Sequence, residues 1–114
     1  MRPKQLRQLI YQALDDAKGQ DITLLDVRKV AYFTDFMAIA TGTSNRHVQS
    51  MADRVVDKLR EHGRRPVGVE GVKQGDWVLI DFGEMVVHVM RAQTRDFYNL
   101  EKLWSEGKRI DPTR

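Results

Sequence analysis

At 114 residues and 41% hydrophobic content, the chain can build one packed core and is too short for two. It has no cysteine, which excludes disulfides, thiolate zinc sites and a thiol nucleophile. Its net charge of +3 and pI near 9.4 suit work beside nucleic acid without requiring it.

The charge is unevenly placed. Between Pro66 and Met90, the acids Glu70, Asp76, Asp81 and Glu84 stand against one base, Lys73, so this stretch carries −3 and the remainder +6. Gripping RNA through it would press acid against phosphate. No uninterrupted apolar run reaches the length of a signal peptide or membrane span, and a cytoplasmic protein is expected.

In chain order, Leu6, Leu9, Ile10, Ala13, Leu14 and Ala17 form one helical stripe, predicting a core-packing helix over 3–18 with Gly19 as its left-handed stop. Residues 22–27 read as a short strand. The unbroken apolar run in 35–41 reads as a strand buried on both faces and therefore central. Val48, Met51, Ala52, Val55, Val56 and Leu59 then predict a second helix, capped by Thr43 or Ser44 and ending at Gly63.

A brief strand follows at 66–69. Residues 77–82 and 85–90 form a hairpin around Gly83-Glu84, where glycine at the first central position suits a two-residue type II′ turn. That turn sets Phe82 against Met85, Ile80 against Val87 and Val78 against Val89, all on the core face. The other face carries Trp77, Leu79 and Asp81 opposite Met90, His88 and Val86, more apolar than a solvated face should be, so something covers it. A third helix, capped by Thr94, places Phe97, Leu100 and Trp104 on one stripe and stops at Gly107. The sum is a single α/β domain over 1–107, a mixed sheet of about five strands with three helices packed on it, followed by a flexible polar tail over 108–114.

Little in the sequence supports catalysis. His47, His62 and His88 lie on separate elements without metal spacing, and His88 reads as a neutral contact residue. Ser44 and His47 lack an orienting acid and an oxyanion hole. The run from Gly42 to Arg46 can offer helix N–H groups to a phosphate, or can simply be a capped helix start. It looks like the Gly-Ser turn of nucleotidyltransferases, but the paired carboxylates that hold two metal ions are missing, since Asp26, Asp35 and Asp81 sit on different segments. No cofactor is expected. Trp77, Met90, Tyr98 and Trp104 are either further core or anchors for a protein partner.

The stretches KGQDITLLDV, TDFMAIATGTSNRHVQSMAD, PVGVEG, DWVLIDFGEMVVHVM and FYNLEKLW closely resemble the ribosomal silencing factor S family, also called Iojap-related proteins. The resemblance implies a nucleotidyltransferase-like fold that is not an enzyme. It implies binding to ribosomal protein fourteen of the large subunit, which blocks the small subunit and represses translation when nutrients are scarce; organelle relatives assist large-subunit maturation. Carried over by segment, the partner surface comprises Glu70, Asp76, Trp77, Asp81, His88 and Met90, with Tyr98 and Leu100 from the next helix. A basic ribosomal protein complements the acidic stretch. A nucleotide-binding, degenerate transferase and a large-subunit assembly factor stand as alternatives, and a peripheral rRNA contact and a homodimer of the free protein stay open.

Overall fold

Pro3 opens α1 (Pro3–Asp16), where its missing N–H removes no helical hydrogen bond, and Leu6, Leu9, Ile10, Ala13 and Leu14 form the buried stripe. The left-handed turn that ends it belongs to Lys18, with φ 63°, not to Gly19 as the sequence suggested. Gly19 is needed for space instead. A Cβ there would lie 2.7 Å from Met51 Cε and 2.9 Å from the Leu14 carbonyl oxygen.

In the computed structural model, which describes residues 1–111, the chain continues through β1 (Gln20–Asp26), β2 (Phe36–Gly42), α2 (Asn45–Glu61), β3 (Gly68–Glu70), β4 (Trp77–Asp81) and β5 (Met85–Arg91). It closes with α3 (Ala92–Tyr98), α4 (Leu100–Leu103) and β6 (Lys108–Arg109). The sheet order is β3-β4-β5-β2-β1-β6, six strands rather than five, with β2 and β5 parallel and every other pair antiparallel. β2 is central and buried along its whole length, as its apolar run requires.

The hairpin has the register set by its two-residue turn: Ile80 pairs with Val87 and Val78 with Val89, and Gly83 adopts φ 88°. Thr34 Oγ1 donates to the Gly83 carbonyl, and the amides of Asp35 and Phe36 donate to that of Glu84, tying the turn to the start of β2.

One face of the sheet packs on α1 and α2 and holds the larger core, including Leu6, Ile10, Val55, Leu59, Ile80 and Val87. The opposite face holds a smaller cluster, Leu25, Val27, Met37, Ile39, Met90 and Leu100, with Val30, Ala31, Trp77 and Trp104 packed against it.

Two expectations about the C-terminal region change. Asn99 takes a left-handed conformation, φ 47°, and splits the third helix into α3 and α4, while Thr94 lies inside α3 instead of capping it. The supposed tail begins as structure: Lys108 pairs with Asp26, Arg109 with Leu25, and Ile110 packs against the larger core. Residues 112–114 of that segment lie outside the described residues.

Candidate docking surface

Ser44 caps α2 by accepting the His47 amide at 3.0 Å. His47 Nδ1 accepts the Thr43 amide at 2.8 Å, which leaves Nε2–H to donate to the Ala17 carbonyl at 2.7 Å. His47 is thus a strut between the β2–α2 turn and the end of α1.

The same turn, the place where a phosphate would approach, is overlaid by the chain's own 71–76 loop. Asn45 Nδ2 donates to the Gln74 carbonyl at 2.7 Å and to Asp76 Oδ1 at 3.3 Å, and Gln49 Nε2 donates to the Val72 carbonyl at 2.7 Å. That loop doubles back tightly: Gly71 has φ 87°, and a Cβ there would lie 2.0 Å from the Trp77 carbonyl oxygen. Among the described residues, no group of three or more His, Asp and Glu is arranged to hold a metal ion.

Pairing across β3, β4 and β5 aligns Glu70, Leu79 and His88 in one row and Trp77 and Met90 in the next, all on the α3 face. Depth separates them. Glu70 is exposed and has no ion pair among the described residues, whereas Trp77 and Leu79 are half-buried and line a shallow groove with Gly71.

His88 lies beneath. Its Nδ1 accepts the Trp77 indole N–H at 3.0 Å, and burial pulls its pKa from 6.5 to about 4. The Trp77 ring also packs on Tyr98, centroids 4.8 Å apart, and Tyr98 in turn meets Phe97 edge-on at 5.0 Å. Tyr98 is 53% exposed and Phe97 81%.

Not every carried-over residue reaches this surface. Met90 and Leu100 are buried in the smaller core under α4, so they support the patch from within. Asp81 Oδ1 accepts the Gly83 amide at 2.7 Å and serves the hairpin turn, while Asp76 is partly engaged by Asn45 and by Arg91 at 3.8 Å. Glu84, at the far end of the hairpin, is paired with Arg64, which is the main reason its pKa is lowered. The exposed patch therefore centres on Glu70, Trp77, Leu79, Phe97 and Tyr98, with Asp76 on its rim.

Asn99 interrupts the stripe on which helical spacing sets Phe97, and Phe97 projects outward. Arg95 carried no signal in the sequence. It is buried and makes four hydrogen bonds, with Nε on Glu101 at 2.7 Å, Nη1 on the Asp21 carbonyl at 2.8 Å and Thr41 Oγ1 at 2.9 Å, and Nη2 on Thr23 Oγ1 at 3.2 Å. This clamp fastens α3 and α4 to β1 and β2, and so fixes where Tyr98 and Phe97 project.

The chain matches along residues 1–114 the family model described as "Ribosomal silencing factor during starvation". It is 44% identical over 108 residues to a Chromobacterium violaceum protein named ribosomal silencing factor RsfS, covering 95% of this chain and 88% of that one. A crystal structure of a C. violaceum protein superposes with a TM-score of 0.90 at 43% identity, covering 97% of this chain and 92% of the other. A mouse protein named mitochondrial assembly of ribosomal large subunit protein 1 is 35% identical over 85% of this chain and 44% of its own length.

Proposed function

The chain belongs to the family of ribosomal silencing factors acting during starvation, and from that premise we propose that it docks on the large ribosomal subunit through the Trp77–Tyr98 face. The partner in this reading is ribosomal protein fourteen, and bound protein obstructs the small subunit sterically, without catalysis. One observation carries it: half-buried and exposed aromatic rings, held in mutual contact, lie beside the exposed carboxylate of Glu70. Rigid aromatic anchors with a charged rim are what a hot spot for a basic protein requires. The 71–76 loop lying over the Gly-Ser turn argues against a nucleotide-binding role. No described helix is long and apolar enough to cross a membrane.

Co-sedimentation with purified subunits tests the proposal. Wild-type protein should pellet with large and not small subunits, and should reduce joining when added before the small subunit. Tyr98→Ala, which removes an exposed ring, should weaken binding roughly tenfold or more, at least about 1.4 kcal/mol, with its melting temperature little changed. Equal pelleting with both subunits would sink the mechanism. The name of the mouse relative favours a second reading, an assembly role, under which the protein would pellet with precursor particles and leave the joining of mature subunits unaffected. Self-association of the free protein through the same aromatic face would appear as competition between dimer and subunit.

A further inference from the structure

Along β4 from Trp77 lies the hairpin turn at Gly83, where Asp35, Asp81 and Glu84 are outnumbered by cations from two neighbouring segments. Residues 1–7 and 62–67 contain five cations, Arg2, Lys4, Arg7, Arg64 and Arg65, and no acid. The fold brings these two segments together: the His47–Ala17 contact joins the end of α1 to the start of α2, so the start of α1 lies with the end of α2. Glu84 marks the meeting point. Its carboxylate takes the Arg64 guanidinium. Arg7 lies over the ring of Phe36, 4.5 Å from its centroid, at the strand end where Phe36 pairs with Met85. Glu84 is satisfied by Arg64, and Arg2, Lys4 and Arg65 are exposed with no ion pair among the described residues.

We infer that this basic end is a second contact surface, for the phosphate backbone of RNA. Cations from two separate segments, with the one ring set against them, Phe36, buried and so closed to a base, suit phosphate contacts that position a protein without reading sequence. The outer face of α2 is a poorer candidate, since Arg46, Arg54 and Arg60 are interleaved there with Asp53, Asp57 and Glu61, and Arg60 is paired with Asp57. That the RNA is ribosomal rests on the docking proposal; the phosphate chemistry does not. An acidic, aromatic contact at one end of the hairpin and a basic one at the other hold the protein at two points and fix its orientation, which a steric block needs.

The probe is an RNA duplex of about 20 base pairs and arbitrary sequence, with binding followed by fluorescence anisotropy across a salt series, alongside purified large subunits. Wild-type protein should bind the duplex with log K falling linearly in log salt. The triple variant Arg2→Ala, Lys4→Ala, Arg65→Ala, which breaks no described ion pair, should reduce that slope by about 2 to 3 and lower large-subunit affinity several-fold at low salt. Tyr98→Ala should leave duplex binding intact. If wild-type protein binds the duplex and the triple variant does not, while neither binds subunits, the docking proposal fails and this one stands. An unchanged salt slope in the triple variant overturns it, as does binding to phosphatidylglycerol vesicles without binding to the duplex.

Discussion

The Trp77 indole N–H and His88 Nδ1 meet at 3.0 Å, which fixes the imidazole as the Nε2–H tautomer and leaves it no capacity to accept once protonated. Burial holds the pKa near 4, against 6.5 when unperturbed. The unfolded chain therefore takes up its proton first as pH falls, and the linkage favours unfolding. Stability fully present above pH 6.5 is lost between pH 6.5 and about 4, by at most about 3 kcal/mol. Urea denaturation from neutral pH down to about pH 4 should show this slope, and His88→Gln, which keeps an acceptor for Trp77 without a titrating ring, should flatten it. The lowered pKa values of Asp26, Glu84 and Glu101, each held down first by a hydrogen bond from arginine, act below the ordinary carboxylate range and are separable. If wild type and His88→Gln fall in parallel, acid sensitivity lies elsewhere.

At the level of elements, the sequence revealed what a local rule determines and missed what packing determines. The hairpin was legible because a two-residue turn permits one register, and one register assigns every side chain to a face. The α1 and α2 stripes were legible from their period. The break at Asn99 was not, since Phe97, Leu100 and Trp104 keep helical spacing straight through it, and the left-handed turn is supported by its own side chain capping the Lys102 amide at 3.3 Å. β6, two residues long, carries no pattern at all. Arg95 shows how α3 and α4 are held despite their shortness. Arg95→Ala removes the donor to two threonine hydroxyls and leaves Glu101 with the longer, 3.8 Å contact to Arg109, and should cost roughly 2–3 kcal/mol in denaturant unfolding. It should also weaken subunit binding, because Tyr98 loses its platform; a variant of full stability would show the clamp to be dispensable.

Across the whole molecule, the exposed charges without an ion pair among the described residues differ along β4, with Glu70 near Trp77 and Arg2, Lys4 and Arg65 beyond Gly83. The overall −3 of the central stretch was legible, yet its distribution was not, because Asp81 and Glu84 turned out to serve the turn and Arg64. Glu70 is left as the acid best placed to steer a partner. Glu70→Lys should slow association several-fold at low salt, with the difference shrinking as the Debye length falls below about 8 Å, and should leave the melting temperature unchanged. Stopped-flow binding at two ionic strengths measures it; faster association in the variant would mean that this face meets phosphate.

The parallel pairing of β2 with β5 bears on how the chain comes into being. Met85 follows Phe36 by 49 residues, so during synthesis the fully buried, mostly apolar β2 emerges long before the neighbour that will cover its free edge. Until β5 arrives, β1 can satisfy only one side, and an open apolar edge is a template for pairing with another nascent chain. A fragment halted after α2 should therefore aggregate, while the contact on which the sheet depends forms late and slowly, as non-local strand pairing does. Translation must pass Arg91, the last residue of β5, before the molecule becomes safe from its own kind.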